Sequence, residues 1–269
     1  MTTSRTNKTN DARTALITGA SSGIGLELTK LFARDGYNLV VVARNHEALT
    51  QLGNDLEEKN GVSVKAIAKD LSSPSAPQEI YDELQKLSVK VDVLVNCAGF
   101  GSLGPFSDMD LPTEINMIEV NIVALTKLTK LFLKDMLLKR QGGVLNVAST
   151  AAFQPGPFMA VYYATKAYVL SFSEALAEEI RESGVVVTAL CPGPTRTDFQ
   201  SKSGTEQSRL FRSRGILDAE TVARAGYEGF KNKETVIIPG FINRLRALGV
   251  RLAPRDWVTK VARRMNEKV

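Results

Sequence analysis

Tyr162 and Lys166 stand four residues apart in the stretch YYATK (162–166). If residues 158–182 are helical, that spacing puts both side chains on one face, about 6 Å apart along the axis. An ammonium group beside a phenol favours the phenolate. A tyrosine tuned in this way can give its proton to a ketone oxygen in a reduction, or take it back in the reverse direction. Tyr163 is turned away by one residue, which makes Tyr162 the candidate acid. The same pairing also occurs on solvated helix faces, so its chemistry depends on what accompanies it.

A second constellation lies near the N-terminus. TALITGASSGIGLELTKLFARDG (14–36) passes from a β-branched strand into an amphipathic helix through Gly19, Gly23 and Gly25. The spacing, G-x-x-x-G-x-G, differs from the G-x-G-x-x-G pattern but obeys the same physics. Glycine lets the backbone turn tightly and approach a pyrophosphate, whose charge then faces free N–H groups at the helix N-terminus. Packing alone is the competing explanation for such a turn. The end of the next apolar run, VVARN, offers Ala43 and Arg44, with no carboxylate before Glu47. An acidic residue there would accept a ribose 2′-hydroxyl; an arginine suits a 2′-phosphate, which favours NADP(H) over NAD. Ser21, Ser22 and Asn45 could add donors. The positive charge of an oxidised nicotinamide would then push Tyr162 in the same direction as Lys166.

The elements that must position these groups can be read along the chain. Short apolar runs at 14–18, 38–43, 62–68, 91–96, 143–149, 185–190 and 235–239 alternate with helix-length amphipathic segments. Most are apolar on both faces, as expected of strands covered by helices on each side. The pattern predicts a doubly wound, Rossmann-type α/β fold with a parallel sheet of about seven strands. Residues 13–269 read as one domain, preceded by a disordered polar leader at 1–12. Helices are expected over 112–140 and 162–183, with Asp218 capping another. Residues 195–217, polar and serine-rich, carry no clear pattern and suit a substrate loop.

Composition excludes several functions. With 269 residues, 43% of them hydrophobic, the chain can bury a large core. No apolar run approaches the ~20 residues of a membrane-spanning helix, and no secretory signal is evident, so a soluble cytoplasmic protein is expected. Cys97 and Cys191 end apolar runs and suit buried thiols; no metal-ligand spacing surrounds them. His46 is the only histidine, and it has no nucleophile motif near it, which argues against a serine-histidine-aspartate triad. The net charge of +5 is uneven: residues 241–269 hold eight Lys and Arg against two acidic residues, so the first 240 residues are nearly neutral. The basic residues lack interleaved stacking aromatics, which argues against nucleic-acid binding.

TGASSGIG (18–25), NCAG (96–99), VN (120–121), Ser149 of VAST, YYATK (162–166) and PGPTRT (192–197) occur in an order that resembles the short-chain dehydrogenase/reductase family, in its shorter single-domain form. The resemblance spans roughly residues 12–240; each motif is modest, and six in register are specific. It implies that Ser149, thirteen residues before Tyr162, hydrogen-bonds the substrate oxygen. Tyr162 would be the acid/base, Lys166 would support Tyr162 and the cofactor ribose, and Asn121 would help hold a water that relays protons. It further implies that Gly19, Ser21, Ser22, Gly23, Ile24, Gly25, Asp70 with Leu71, Asn96, Ala98 and Gly99 line the cofactor cleft. Asp70 would meet the adenine; Thr195 and Thr197, after Pro192 and Gly193, would meet the carboxamide and phosphate end. Cys97 replaces the commoner second asparagine. Ser22 stands where some NADP-using members carry a basic residue, so the NADP reading rests mainly on Arg44. The family also implies a homodimer or homotetramer.

On the substrate side, Phe199, Leu210, Phe211 and Ile216 face a second apolar group, Phe100, Leu103 and Phe106, and a third, Phe153, Phe158 and Met159. This composition favours a hydrophobic ketone or alcohol: steroid-like, acyl-chain or xenobiotic. The basic C-terminal extension, 241–269, spaces Ile242, Leu245, Leu248 and Leu252 at near-helical intervals. Packing on the body with a solvated basic face, attachment to anionic lipid with Trp257 at the interface, and a phosphate site all suit it. The combined reading is an NADP(H)-dependent oxidoreductase interconverting a carbonyl and a secondary alcohol. An NAD-dependent alcohol dehydrogenase of the same fold and a catalytically silent dinucleotide sensor or scaffold are the alternatives.

Overall fold

The computed structural model describes residues 13–206, 208–209 and 215–267. The polar leader expected at 1–12 and the substrate-side residues Leu210 and Phe211 fall outside them. Seven parallel strands form one sheet: β1 (Thr14–Thr18), β2 (Asn38–Ala43), β3 (Val64–Ala68), β4 (Val93–Asn96), β5 (Gly142–Val147), β6 (Val185–Leu190) and β9 (Val236–Ile237). Their spatial order is β3-β2-β1-β4-β5-β6-β9. Between β1 and β4 the winding reverses, which opens a crevice at the carboxyl ends of the strands. A separate pair, β7 (Thr195–Arg196) with β8 (Leu217–Asp218), brackets the segment between them. The pattern-free stretch 195–217 is therefore tied down at both ends, and it also carries helix α7 (Phe199–Ser203).

The side-chain period of two divides each strand between two cores. Ala15, Ile17, Leu39, Val41, Val93 and Val95 pack on the face covered by α1 (Gly23–Arg34), α2 (His46–Asn60) and α8 (Ala219–Lys231). Leu16, Val40, Val42, Leu94 and Val144 pack on the other face, beneath α3 (Ala76–Lys86) and α5 (Leu125–Lys139). Helix α1 buries Leu28 and Phe32, four apart. The Phe32 ring meets Tyr37 and Tyr227 edge-on at 5.1 and 4.8 Å. Tyr227 then donates to Asp35 at 2.5 Å, fixing α8 across the end of α1. Asp218 caps α8 by accepting from the Thr221 amide at 2.7 Å.

The helix expected over 112–140 is divided. Helix α4 (Leu111–Ile118) runs into a π-helical segment, Glu119–Ala124, and then into α5. Such an inserted register shift often marks a functional position, and Asn121 sits inside it. Helix α6 (Ala160–Glu179) carries the tyrosine-lysine pair. The C-terminal extension forms α9 (Phe241–Leu252) and α10 (Arg255–Asn266). Among the described residues, no helix is long and apolar enough to cross a membrane.

Candidate active site

The first turn of α1 is shaped for close approach. Gly19 and Gly23 have φ of 69° and 56°, left-handed values that a side chain resists. A Cβ on Gly25 would collide with the Gly19 carbonyl oxygen. The N-cap, Ser22, makes no side-chain capping bond, and no acidic residue occupies the first turn. The result is a positive helix end with its amides uncommitted, suited to a diphosphate. Thr18, which no spacing in the sequence marks, accepts at Oγ1 from the amides of Cys97 and Ala98 at 3.0 and 3.1 Å. It thereby locks the NCAG turn beside the glycine turn.

A continuous cavity of about 1000 Å³ runs along the carboxyl ends of the strands. At one end lie Gly19, Ser21, Ser22, Gly23, Ile24 and Gly25, with Arg44 and the pair Asp70 and Leu71 beyond them. Arg44 is exposed. The Asp70 carboxyl is held below its ordinary range, chiefly by the Ser72 amide and, less, by the charge of Arg44. Asn45 spends its side-chain oxygen on the Ala48 amide at 3.1 Å, capping α2. Ala98, Gly99, Ser149, Tyr162, Lys166, Pro192, Gly193, Thr195 and Thr197 line the middle of the cavity. Gln200 staples the last of these by donating to the Thr195 carbonyl at 2.8 Å and accepting from the Thr197 amide at 3.0 Å.

Two of the expected site residues do not reach the cavity wall. Asn96, expected in the cofactor cleft, lies inside the protein; its Nδ2 donates to Asn146 Oδ1 at 2.9 Å and Thr129 Oγ1 at 3.1 Å. It ends a strand whose side chains alternate between faces, and its own points into the α5 layer. Asn146 continues the chain to Ser173 at 2.9 Å. Asn121 is likewise buried and fully engaged. Its Nδ2 donates to the Phe100 carbonyl and to Thr165 Oγ1, each at 3.0 Å, and its Oδ1 accepts from the Phe100 amide at 3.1 Å. The side chain is thus a clamp between the loop after β4 and helix α6.

Ser149, Tyr162 and Lys166 meet where β5 ends. Ser149 has extended backbone and caps a short 3₁₀ turn, Thr150–Phe153, by accepting from the Ala151 amide at 3.1 Å. Lys166 is buried; its Nζ donates to the Val147 carbonyl at 2.8 Å and lies 5.9 Å from the centre of the Tyr162 ring. A Cβ at Gly99 would stand 3.0 Å from Asn121 Oδ1 and 3.4 Å from Lys166 Nζ, so the absence of a side chain there keeps the amine in place. Tyr163 turns the other way and donates to Asn266 Oδ1 at 3.2 Å, while Asn266 donates to the Pro157 carbonyl at 2.9 Å. Of the adjacent tyrosines, one faces the cavity centre and the other fastens α10.

The electrostatic balance differs from that expected of the pair alone. Burial pushes the Tyr162 phenol up to about 12, outweighing the opposing hydrogen bond from Ser149. Burial also brings Lys166 down to about 8, against the neighbouring Cys97 and Cys191. Both thiols are themselves pushed up to about 12. Desolvation therefore sets the direction of the phenol's shift, and Tyr162 keeps its proton. Among the described residues no cluster of His, Cys, Asp and Glu suits a metal ion.

The far end of the cavity is apolar. Phe100, Phe153, Met159 and Phe199 line it, as the sequence suggested, whereas Leu103, Phe106, Phe158 and Ile216 do not. Phe106 is exposed, and Leu103 packs on Met159 and Tyr163. The missing wall comes from the C-terminal extension: Ala247, Val250, Trp257, Val258, Val261 and Met265 close this end. Of the readings open for the stripe, packing on the body is not the one seen: Ile242, Leu245, Leu248 and Leu252 are exposed, while Asn243 and Ala247 point inward. The helical spacing was visible in the sequence, but both faces are apolar, and spacing alone cannot tell the inner from the outer.

The short chain dehydrogenase family model matches residues 13–208. Over 182 residues the chain is 35% identical to mouse 17-beta-hydroxysteroid dehydrogenase type 3; the match covers 66% of this chain and 58% of that protein. The chain thus spans less than two thirds of that relative's length. A short-chain dehydrogenase from Sphingobium yanoikuyae, solved with NADPH, superposes with a TM-score of 0.80 at 33% identity, covering 89% of this chain and 94% of the other. One from Burkholderia phymatum, solved with NAD, gives 0.79 at 25% identity over 96% and 98%.

The buried amine ties stability to pH. Lys166 holds its proton up to about 8 when folded and to about 10.4 when unfolded. Between those values the unfolded chain carries the extra proton, so this group makes stability rise with pH; below about 8 the penalty is constant. The Tyr162 shift acts only above about 10. Urea unfolding of Lys166→Met should show the variant's advantage over wild type shrinking by about 1 kcal/mol from pH 8 to pH 9. A difference independent of pH would contradict the assigned burial.

Proposed function

Because the chain belongs to the short-chain dehydrogenase/reductase family of oxidoreductases, we propose that it is an NADP(H)-dependent reductase of a hydrophobic ketone. The observation that carries this reading is the placement of Ser149, Tyr162 and Lys166 at the junction of a glycine-lined groove and an apolar chamber. The groove fits a dinucleotide: glycines where a Cβ would intrude, uncommitted amides at the α1 end, and Asp70 for the adenine side. Arg44 at the β2 end, with no carboxylate beside it on the strand, supports a 2′-phosphate and hence NADP(H). The similar structure holding NAD keeps the NAD-dependent alternative open to the test below.

When bound, the reduced nicotinamide supplies the hydride that reaches the carbonyl carbon. Tyr162, kept protonated by burial, gives its proton to the carbonyl oxygen as charge develops there. Ser149 donates a hydrogen bond to the same oxygen and stabilises that charge. Lys166 replenishes the phenol and holds the ribose, and Asn121 positions it by clamping Phe100 to Thr165. The aromatic and aliphatic end wall accepts a steroid-like, acyl-chain or xenobiotic carbonyl, and the hydroxysteroid named in the mouse relative belongs to that class. A homodimer or homotetramer is also proposed, supported by Leu111 and Ile115 exposed on α4 and Tyr168 on α6; a monomeric mass by light scattering would remove it.

Two variants test the reading. Arg44→Ala should weaken NADPH binding about ten- to hundredfold, the loss of a charge-assisted contact, and leave NADH binding nearly unchanged; equal effects on both would favour NAD. Tyr162→Phe should lower kcat for a hydrophobic ketone about a thousandfold while NADPH still binds. Turnover that survives this substitution would remove Tyr162 as the acid, and NADPH binding without turnover of any carbonyl by wild type would leave a dinucleotide sensor.

A further inference from the structure

Helix α9 carries a second face that the cavity does not use. Phe241, Leu245, Leu248 and Leu252 recur at helical spacing on its outer side, with Phe241 79% and Leu252 82% exposed. On α10, Trp257 and Val261, four apart, are also exposed, Trp257 at 68%. Large apolar side chains in water on two successive helices mark a contact surface. Basic residues flank it: Arg244, Arg246, Arg251, Arg255, Lys260 and Arg264 are all exposed. Among the described residues none of these six pairs with a carboxylate, whereas Arg263 reaches Glu267 just beyond α10; Arg244 donates to the Ile238 carbonyl at 2.8 Å and Arg251 lies 6.0 Å from the centre of the Phe153 ring. Trp257 and Val261 at the same time line the cavity, so its apolar end opens through the edge of this face.

We propose that the α9–α10 face docks on an anionic lipid bilayer and that a lipophilic carbonyl substrate enters the cavity from that bilayer; the entry step rests on the reductase reading above. Charge selects this occupant. An amphipathic helix with an apolar stripe and a Lys/Arg-rich border seats at the headgroup boundary, where anionic lipid neutralises the cations and tryptophan favours the interface. A second copy of the chain would instead press two positive faces together. Nucleic acid would find aliphatic side chains at the centre of the patch in place of stacking aromatics.

The test uses the chain of 269 residues and a double variant, Leu248→Glu with Leu252→Glu; both positions are exposed and lie outside the cavity wall. Wild type should co-sediment at least about tenfold more with phosphatidylcholine vesicles containing roughly a third phosphatidylserine than with phosphatidylcholine alone. The variant should lose that binding at least about tenfold and keep its unfolding midpoint and NADPH affinity. It should also lose turnover of a ketone dissolved in the vesicles while keeping turnover of a water-soluble ketone. Wild type that ignores anionic vesicles, or a variant that binds them equally, overturns the proposal. So does a dimer in light scattering that the variant abolishes, since a second copy would then own the face. If neither ketone is turned over, the reductase reading fails and vesicle binding still decides the docking.

Discussion

The contact between Lys166 and the last carbonyl of β5 organises the centre of this molecule. A buried primary amine has a large desolvation penalty, and the protein meets it with a 2.8 Å hydrogen bond to the Val147 carbonyl and the influence of the nearby Cys97 and Cys191. The rest of the site is arranged around that bond. Gly99 has no side chain to displace the amine, Asn121 fixes the neighbouring loop, and α6 crosses the sheet where one turn separates Lys166 from Tyr162. The parallel sheet supplies the frame, since its strands all end on the same side and deliver the glycine turn, the NCAG turn and Ser149 to one crevice.

Much of this was legible in the sequence for a physical reason. The strands are apolar on both faces because helices cover both sides, so their positions could be read almost to the residue for β1, β2 and β6. Glycines that turn a strand into a helix cannot be replaced without collision, as at Gly25 and Gly19, and so they stand out. What escaped was set by tertiary context. Asn96 belongs to a motif beside the cleft, but strand alternation turns its side chain into the core, where only neighbours on β5 and α5 reveal its partners. The balance at Tyr162 escaped for the same reason, because desolvation is a property of the folded surroundings and no spacing encodes it.

The C-terminal extension gives the sharpest contrast. Its helical period was visible, but a helix apolar on two sides has no sequence signal for which side meets the body. The structure turns Ala247 and Val258 toward the cavity and leaves Leu245, Leu248 and Leu252 in water. Tyr163 takes part in that choice, since its bond to Asn266 fastens α10 from the very helix that presents Tyr162. Adjacent residues of α6 thus connect Tyr162, at the centre of the cavity, to the helix that forms part of its apolar wall.

The most direct test of the account is to follow where the hydrogen goes. Wild-type protein incubated with a hydrophobic ketone and NADPH deuterated at the transferable nicotinamide position should give an alcohol with one deuterium on the carbinol carbon, read by mass spectrometry. An alcohol that carries hydrogen from solvent at that carbon, or no alcohol at all while NADPH is bound, would contradict hydride transfer at the Ser149, Tyr162 and Lys166 junction.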